Sequence, residues 1–467
     1  MEPQAAPDGL RMAGRGRERA VESMTTRQRE RILIAGGGVA AVEAVAALRA
    51  LAGPLPHVTL LAPETQMAQR QASVGAPFGF GAPRPLPLRE IARRAPFELR
   101  VGSLAEVDPG TYTVRTDWDE TLSYDTLIVA VGGRAEPAVE GAITFTGPAE
   151  AAKVAEAVED AGRIVFVQPF ASGWSLPVYE LAIMAAVQRT GTQITVVTAE
   201  TAPLWVFGEQ AGSAVRELLR ERGIALRTAT RAVAARAGRL ELGDGDSIPA
   251  DAVVALPRIT GPAIAGLPHD PDGFIPVDAH GAVRGLAGVF AAGDATTFPL
   301  KQGGLATQQA DAVAEAVAAR LGVPVVAEPF RPVLRGLLLT GGAPLYLRAQ
   351  LGTGGAGTAR RLPVAAVSRR ALWWPPTKVA GRYLAPLLAT ARPPVLASAP
   401  LQDLPARPAR DDTADALELA LLLAEQDAAV GDFKQAVHAL DVAAALTGGV
   451  LPVEWARRRE AWLAGHV

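Results

Sequence analysis

A glycine-rich segment at residues 31–48, RILIAGGGVAAVEAVAAL, has the composition of a strand, a tight turn and a helix. The apolar run before the glycines predicts a buried parallel strand, and the alanine-rich run after them predicts a helix from Val39. Gly36 permits the sharp turn, Gly38 lets the backbone approach a pyrophosphate, and Ala41 lets the helix pack closely on the strand. Because a helix N-terminus presents unpaired N–H groups, the segment predicts a phosphate site, with a plain tight turn as the alternative. The predicted cofactor-binding residues here are Gly36, Gly38, Val39, Ala40 and Ala41.

An acidic residue follows the second predicted strand, HVTLLAPE (57–64). In a dinucleotide-binding fold, the acidic residue that ends this strand binds a ribose hydroxyl. Here Ala62 occupies the position where that acidic residue usually lies, and Glu64 comes two residues later. Glu64 is therefore a candidate ribose ligand, and the alternative is a solvated turn residue. The Gly-, Ala-, Pro- and Gln-rich segment 65–83 is expected to be a long loop over the cofactor.

Two further glycine turns end short buried strands later in the chain. YDTLIVAVGG (124–133) places Gly132 and a second glycine directly after an apolar strand, where a glycine pair lets the backbone pass close to a ligand. VFAAGD (289–294) ends another short strand at Asp294. The segment 301–321 then predicts a helix whose N-terminus faces whatever Asp294 holds.

The order of strands and helices begins again in the middle of the chain and predicts a second, related βαβ domain at 149–261. Its turn, QPFASGWSLP, has only Gly173 at the G-x-G-x-x-G spacing, with Ser175 and Val178 in the other places. A seryl side chain would crowd a pyrophosphate, so NAD(P)H is expected to bind weakly or in a shifted pose. Glu200 ends the next strand, and its carboxylate would repel a 2′-phosphate and favour NADH over NADPH.

The composition excludes several kinds of chemistry. The chain has 48 acidic and 46 basic residues, so it lacks the net positive charge that would attract nucleic acid. The absence of cysteine removes disulfides, thiolate zinc and iron–sulfur sites, and every thiol mechanism. The five histidines have no metal-ligand spacing, so no metal site is expected. No apolar run is long enough to predict a transmembrane helix, and a cytoplasmic location is expected.

The first glycine turn, YDTLIVAVGG (124–133) and VFAAGD (289–294) occur in the same order in the pyridine nucleotide-disulfide oxidoreductase family of flavoproteins. The chain resembles that family over about residues 31–395. The resemblance implies an α/β fold with two Rossmann-like domains, one that binds FAD and one degenerate domain of the NAD(P) type. It also implies a non-covalently bound FAD cofactor.

The resemblance implies roles for residues around the flavin. In that family the position of Asp294 hydrogen-bonds the ribitol chain, and that of Gly132 lies near the flavin nucleotide. A helix that starts at Gly304 would point its positive end at the flavin and stabilise negative charge there. Lys301 would lie beside the flavin and help balance that charge; the alternative is a surface lysine in a salt bridge. Glu180 would lie close to the nicotinamide; the alternative is a residue that caps the helix or forms an ion pair. The other predicted cofactor contacts in this region are Gln302 and Gly303.

Within the family, the chain most resembles the sulfide:quinone oxidoreductase and type II NADH dehydrogenase branch, through the stretches 166–182, 296–310 and 330–348. Where the sulfide enzymes have a reactive cysteine, this chain has Gly173 or Trp174. Sulfide oxidation and disulfide reduction by the chemistry of that branch are therefore excluded.

The C-terminal part of the chain is expected to form a small mixed domain and a helical hairpin similar to a tetratricopeptide repeat. One such repeat cannot bury its own face, so the hairpin should dock on the main body or on a second subunit. Trp373 and Trp374 pack in the small domain or meet a membrane surface. The predicted units are a disordered tail (1–30), an FAD-binding domain (31–148 and 262–325), the second Rossmann domain (149–261), a small interface domain (326–395), a linker (396–410) and the hairpin (411–465).

Two functions follow from these patterns. The first is an FAD-dependent oxidoreductase that passes two electrons from a donor, with NADH as a candidate, to a quinone or another small acceptor. The second is a flavin-bound sensor or assembly subunit with little turnover of NAD(P)H, in which the hairpin is the partner surface. A homodimer and a peripheral contact with a membrane are compatible with both, and no nucleic-acid partner is expected.

Overall fold

The computed structural model describes most of the chain from residue 29 onward. The predicted linker at 396–410 and residues 1–28 of the predicted tail lie outside the described residues. The described residues are 29–67, 70–80, 85–171, 173–350, 364–373, 375–379, 381–388, 413–429, 431, 433–447 and 449–464. The helices are α1 (Val39–Ala52), α2 (Leu88–Ala92), α3 (Ala151–Asp160), α4 (Leu176–Gln188), α5 (Glu209–Glu221), α6 (Gly303–Arg320), α7 (Leu384–Leu388), α8 (Thr413–Ala429), α9 (Phe433–Leu446) and α10 (Val453–Leu463). The strands are β1 (Arg31–Ala35), β2 (His57–Ala62), β3 (Gln66–Met67), β4 (Leu86–Pro87), β5 (Glu98–Val101), β6 (Leu104–Asp108), β7 (Thr113–Thr116), β8 (Thr121–Ser123), β9 (Thr126–Val129), β10 (Arg134–Glu136), β11 (Ile143–Thr144), β12 (Arg163–Gln168), β13 (Gln193–Thr198), β14 (Ala225–Arg227), β15 (Ala232–Arg236), β16 (Arg239–Leu242), β17 (Ser247–Pro249), β18 (Ala252–Ala255), β19 (Arg258–Thr260), β20 (Val289–Ala291), β21 (Val333–Leu338), β22 (Leu345–Gln350) and β23 (Val364–Ser368).

Two parallel sheets form the centre of the molecule. The first has the strand order β20–β9–β1–β2–β5 and the second β11–β18–β12–β13–β14. Strand β9 is buried along its whole length, and β12 is buried everywhere except at its first residue. Strands that are covered on both faces need continuous apolar runs, which is the pattern these segments have. The prediction of an α/β fold with two Rossmann-like domains is confirmed.

Helices α1 and α6 cover one face of the first sheet. Ile32 and Ile34 of β1 share a buried cluster with alanines and valines of both helices. On the other face, Leu33 packs with Val107 and Val114 of the antiparallel sheet β6–β7–β8. The small side chains of α1 let this helix lie close to β1, and this contact positions the first turn of the helix.

Two segments differ from their sequence predictions. The sequence of region 99–122 favours small antiparallel strands, but β5 joins the parallel sheet beside β2, and within this region only β6, β7 and β8 are antiparallel. The expected loop at 65–83 contains a 3₁₀ helix, Arg70–Phe78. Its Val74 and Phe78 are buried in the core of the second domain, which gives this segment a fixed place between the two domains.

The boundary between the first two domains also shows a difference in strand pairing. Strand β11 pairs with β18 of the second sheet, although it precedes the predicted boundary at 149. Strands β10 and β19 form an antiparallel pair where the chain passes between the sheets in both directions. The domain limits given above remain predictions.

The small domain is built on the antiparallel sheet β21–β22–β23. One face of it places Leu334 and Leu347 in the same buried cluster as the helices of the second domain. On the other face Trp373 is 4% exposed, and its ring centroid lies 5.2 Å from that of Tyr346. Packing therefore accounts for Trp373, while Trp374 lies outside the described residues.

The described residues of the C-terminal segment form three helices where a two-helix hairpin was predicted. Helices α8 and α9 pack on each other, and α10 returns along α9 with Arg459 Nε 2.6 Å from Asp441 Oδ1. The extra helix begins after Pro452, which sits at its N-terminal cap. This segment was expected to dock on the main body or on a second subunit. The structure shows contact with the main body, because Leu423 and Leu440 belong to the same buried cluster as Leu334 and Leu347 of the small domain. In the part of the chain that the structure describes, we find no helix long and apolar enough to span a membrane.

Candidate functional site

A cavity of about 400 Å³ lies at the glycine turn between β1 and α1. Gly36 has a φ of +132°, and a Cβ there would lie 2.2 Å from the carbonyl oxygen of Ala130, so the turn needs glycine. A Cβ on Gly38 would meet nothing within 4 Å, because this residue faces the open cavity. Gly38 is also the N-cap of α1 and has no side chain to cap the first N–H groups. A pyrophosphate fits this arrangement, since it needs close backbone approach and free N–H donors.

The predicted turn residues divide between the cavity and the core. Gly36, Gly38, Val39 and Ala40 line the cavity, whereas Ala41 is fully buried against the sheet. This is the packing role that the third small residue of the motif has. Glu64 is exposed at the cavity edge, so its contact with a ribose remains a prediction.

Asp294 lies at the far end of this cavity, after β20. It is part of a 3₁₀ turn, Gly293–Ala295, and it accepts a hydrogen bond from the backbone N–H of Gln302. Burial raises the pKa of Asp294, and the nearby charge of Lys301 opposes that rise. Gly132 lines the same cavity with a φ of +78° and open space at its Cβ position. The Asp294 carboxylate can accept a hydrogen bond from a polyhydroxyl chain such as the ribitol of FAD. The open turn at Gly132 leaves room for a ring system, so both residues fit FAD.

The N-terminus of α6 was predicted as a cofactor contact through three residues. The helix begins at Gly303, one residue before the predicted start at Gly304. Gln302 caps it: the side-chain oxygen accepts from Leu305 N at 2.8 Å, and the side-chain nitrogen donates to Arg335 O at 3.0 Å. Gly303 lines both cavities, Gln302 lines the second one, and Gly304 is buried in the first turn of the helix. Contacts of these three residues with a cofactor stay predictions.

A second cavity, of about 340 Å³, joins the first at Arg70, Gly133, Asp294 and Gly303. Lys301 lies in its wall, and its Nζ donates to the backbone oxygens of Thr296 (2.5 Å) and Phe298 (2.7 Å). The same Nζ lies 3.6 Å from the centroid of the Phe274 ring. Burial lowers the pKa of Lys301 to about 8, with Asp294 acting in the opposite direction. The structure thus places a titratable cation beside Asp294 and gives no support to the surface salt-bridge alternative.

Glu180 is fully buried in α4 and is held by the small domain. Its carboxylate lies 2.6 Å from Lys378 Nζ and accepts from Leu339 N at 2.8 Å. Burial raises the pKa of Glu180, and the Lys378 charge limits that rise. The structure shows the ion-pair alternative for Glu180, and it is Lys378 that lines the second cavity. A contact of Glu180 with a nicotinamide stays a prediction.

Glu200 does not face a ribose, which corrects the prediction made for it. The residue is 1% exposed, and its carboxylate accepts hydrogen bonds from Tyr179 (2.6 Å), Ser175 (2.7 Å) and Thr198 (3.2 Å). Burial raises its pKa to about 7. Glu200 is held inward partly by the degenerate turn. Ser175 donates a hydroxyl hydrogen bond to the Glu200 carboxylate, and a glycine at position 175 would have no side chain to make this bond.

Several residues of the second cavity were not predicted, namely Arg70, Phe170, Leu337, Lys378 and the C-terminal residues Leu423 and Val442. The sequence signal for Lys378 was its position as one of only four lysines, in WWPPTKVAG. Arg70 and Phe170 lie in segments without periodicity, where spacing carries no information. Among the described residues, no group of His, Asp and Glu is arranged to hold a metal ion.

Comparisons with known proteins agree with this geometry. A model of the family described as pyridine nucleotide-disulphide oxidoreductase matches residues 30–319. The ferredoxin reductase component of chlorobenzene dioxygenase from Cupriavidus sp. (strain PS12) is 29% identical over 362 residues, covering 68% of this chain and 85% of that protein. The ferredoxin–NAD(+) reductase subunit of the benzene 1,2-dioxygenase system of Pseudomonas putida is 27% identical over 314 residues, covering 61% of this chain and 74% of that subunit.

Solved structures share the fold. The sulfide:quinone oxidoreductase from Aquifex aeolicus has a TM-score of 0.64 at 20% identity and covers 73% of this chain and 87% of its own. The ferredoxin reductase for the CYP199A2 system from Rhodopseudomonas palustris has a TM-score of 0.56 at 20% identity and covers 71% and 84%. The family match spans more than half of the chain, and the chain therefore belongs to the pyridine nucleotide-disulphide oxidoreductase family and is an FAD-dependent oxidoreductase.

Proposed function

We propose that this protein passes two electrons through non-covalently bound FAD from a donor, with NADH as the first candidate, to a quinone or another small acceptor, without thiol chemistry. The observation that carries the proposal is the junction of the two cavities at Asp294, where a cofactor site meets a second site lined by both apolar and charged side chains. FAD supplies the hydride and electron transfer when it is bound. The protein supplies the binding surface, the orientation and the charge balance.

The residues at the junction suit that role. Asp294 would accept a hydrogen bond from a hydroxyl of bound FAD, and Lys301 would provide positive charge beside it. The N-terminus of α6 at Gly303 would add a dipole of the same sign. Together these groups would stabilise negative charge on a ring held there.

A thiol-free mechanism is supported by the composition and by the second cavity. The chain has no cysteine. Gly173 and Trp174, at the position that the resemblance assigns to a reactive cysteine, both line this cavity. Sulfide should therefore fail to bleach the flavin at a catalytically competent rate.

The test is anaerobic stopped-flow mixing of the holoprotein with NADH, NADPH or sulfide, followed by oxidised 1,4-naphthoquinone. Saturable bleaching by NADH and rapid reoxidation by the quinone would support the proposal. Bleaching by sulfide would contradict the thiol-free part. If neither nucleotide reduces the flavin, and the photoreduced flavin does not react with the quinone, turnover is refuted and the sensor function is favoured. A ferredoxin is the competing acceptor, because the matched relatives are named as ferredoxin reductases.

Replacement of Asp294 tests the cofactor site. Asp294→Ala removes a charged acceptor, and we expect FAD affinity to fall roughly 10- to 150-fold, corresponding to about 1.5–3 kcal/mol. Equilibrium dialysis against FAD measures this loss. Asp272→Ala is the matched control, because Asp272 lines only the second cavity and pairs with Arg258 at 2.8 Å. Equal FAD retention in both variants would contradict the role given to Asp294.

A further inference from the structure

One face of the antiparallel sheet of the small domain opens onto the second cavity. Arg335 and Leu337 of β21 both line this cavity, and Lys378 lines it as well. Side chains two residues apart on a strand lie on the same side of a sheet, so Arg335 and Leu337 define this face. The sheet lies outside residues 30–319, which the family model matches. This face is therefore a part of the site that the motifs of the family do not describe.

Two arginines lie directly opposite each other on this face. In the register of β21 and β22, Arg335 pairs with Arg348, so both side chains lie on the same side of the sheet. On its other side, Arg348 pairs with Ala366 of β23. None of the strand residues of β21, β22 and β23 is acidic. Like charges directly opposite each other destabilise a sheet, so the negative charge that balances this pair has to come from outside the sheet.

The surroundings of the two guanidinium groups show the same lack of negative charge. Burial lowers the pKa of Arg335, and the charge of Arg348 lowers it further. Asp311 acts in the opposite direction, but burial raises its own pKa to about 10, so it holds a proton at neutral pH. Burial also lowers the pKa of Arg348, and its buried Nη2 has no hydrogen-bond partner in the described part of the chain. Arg348 therefore lacks an acceptor that a buried N–H group normally has.

Three other cations of the second cavity each have an acid beside them. They are Lys378 with Glu180 (2.6 Å), Arg258 with Asp272 (2.8 Å) and Lys301 with Asp294. Arg70 is an exposed residue at the junction with the first cavity. One further acid, Asp427 of α8, lines the second cavity and is 1% exposed. One carboxylate against the two arginines of the sheet leaves an excess of one positive charge, which suits a ligand with a single negative charge.

We propose that Arg335 and Arg348 form an anion site in the wall of the second cavity, and that the small molecule bound in this cavity carries a carboxylate. A guanidinium group donates two parallel N–H bonds to a carboxylate, and such a group supplies the acceptor that Arg348 lacks. The assignment rests on the proposed function, because it names the chemical class of the small molecule that meets the cofactor site at Asp294.

The experiment compares benzoate with its neutral counterpart benzamide on the full-length holoprotein. Equilibrium dialysis with the flavin oxidised gives the dissociation constants, so binding is read without turnover. We expect benzoate to bind at least tenfold more tightly than benzamide. Arg348→Met should weaken benzoate binding at least tenfold and leave benzamide binding unchanged, because it removes the charge and the N–H donors. Arg370→Met is the matched control, since Arg370 is an exposed residue that follows β23, and it should bind benzoate as wild type does.

Thermal unfolding separates a lost anion site from a damaged fold. Benzoate should raise the unfolding midpoint of wild type and of Arg370→Met, because it binds the folded state, and should leave that of Arg348→Met unchanged. Without benzoate, Arg348→Met should unfold at or above the wild-type midpoint, because the variant removes the repulsion between Arg348 and Arg335. A midpoint below that of wild type would show that Arg348 stabilises the protein without a ligand, and would overturn the inference.

Inorganic phosphate distinguishes a carboxylate ligand from a free inorganic anion. At the same concentration as benzoate, phosphate should leave the benzoate dissociation constant unchanged, and tighter binding of phosphate would overturn the assignment of a carboxylate. Equal binding of benzoate and benzamide, or equal benzoate binding by wild type and Arg348→Met, would also contradict it. Benzoate binding that depends on Arg348, in a protein whose flavin reacts with neither nucleotide nor quinone, would refute the proposed function and leave the anion site standing.

Discussion

Lys301 is the residue whose environment says most about the chemistry. Two backbone oxygens and the face of Phe274 hold its ammonium group beside Asp294, so the cation has one fixed place. Burial lowers its pKa to about 8, which makes its charge depend on pH near neutrality. A charge of this kind shifts the redox balance of a ring bound next to it.

We expect Lys301→Met to lower the midpoint potential of bound FAD by about 20–45 mV. The reason is the loss of about 1–2 kcal/mol of charge stabilisation, converted for a two-electron couple. Spectroelectrochemical titration measures the shift at pH 7. The difference from wild type should shrink above pH 8, because Lys301 then loses its proton.

Lys153→Met is the control for this prediction, since Lys153 is an exposed residue of α3. It should leave the potential unchanged. The same potential in wild type and Lys301→Met would mean that Lys301 only ties backbone carbonyls together and has no electrostatic role toward the cofactor.

Glu180 and Glu200 show the limit of sequence reasoning at this scale. For Glu180 the sequence left a nicotinamide contact, a helix cap and an ion pair as alternatives, and local spacing did not decide between them. For Glu200 the expected position facing a ribose was wrong, because the side chain is buried. Glu180 finds Lys378, which is 198 residues away in the chain. Glu200 turns inward because Tyr179 and Ser175 offer it two hydroxyl donors. Such partners depend on tertiary packing, which no local spacing contains.

At the scale of elements, Glu43 and Asp311 join three helices. Glu43 lies in α1, and its carboxylate accepts hydrogen bonds from the backbone N–H groups of Tyr383 (2.7 Å) and Leu384 (2.8 Å), at the start of α7. Asp311 of α6 is hydrogen-bonded to Glu43. Burial and the neighbouring carboxylate raise the pKa of Asp311, so it keeps its proton and donates it to Glu43.

This pair makes stability depend on pH. The folded protein holds the Asp311 proton at pH values where the unfolded chain has released it. The free energy of unfolding therefore falls as pH rises from about 4 toward the raised pKa. Asp311→Asn keeps a donor for Glu43 without this proton. We expect it to increase the free energy of unfolding at pH 8 by on the order of 1–3 kcal/mol relative to wild type, with a smaller gain at pH 5.

Urea unfolding at pH 5, 6.5 and 8 measures the effect. Asp160→Asn is the control, because Asp160 is exposed at the end of α3. A gain that does not change with pH would contradict the shared proton, and a loss at every pH would show that the carboxylic acid itself is needed.

The elements that form from continuous apolar runs were predicted well, and those set by tertiary contacts were not. The strand predicted before Gly36 is confirmed as β1, and the apolar runs at 163–167 and 177–187, which predict a strand and a helix, form β12 and α4 with ends within a few residues. The placement of β5 beside β2 was missed because a four-residue strand does not show which neighbour it pairs with. The 3₁₀ helix Arg70–Phe78 was missed because its stability comes from burial of Val74 and Phe78 in another domain.

At the scale of the whole molecule, the small domain and the C-terminal helices are seated on the second domain. The order of the motifs predicted the two Rossmann-like domains, because each motif carries local information about a strand and a turn. The second cavity was not predicted, since its walls come from distant segments that no single pattern connects. Its geometry depends on how these units stay together.

The ion pair between Glu180 and Lys378 is one of the links that hold them. The Glu180 side chain is fully buried, and that of Lys378 is 12% exposed. A buried pair of this kind adds little net stability compared with an apolar pair, yet loss of one partner leaves a charge without compensation. Separation of the small domain from α4 would leave Glu180 or Lys378 without its partner, and the free-energy cost of that loss keeps the small domain in place.

We expect Lys378→Met to lower the free energy of unfolding by about 3–5 kcal/mol at pH 8, because Glu180 would be buried without its cation. Burial already raises the pKa of Glu180, and without Lys378 it rises further. The folded variant then binds a proton that the unfolded chain lacks above about pH 4.5, so its stability recovers as pH falls. In the double variant Lys378→Met/Glu180→Gln the amide still accepts from Leu339 N, and most of the loss at pH 8 should disappear.

Urea unfolding of wild type, both single variants and the double variant at pH 5.5 and 8 completes the cycle. If the double variant is as unstable as Lys378→Met at pH 8, the loss comes from packing of the lysine chain, and the ion pair does not join the two domains.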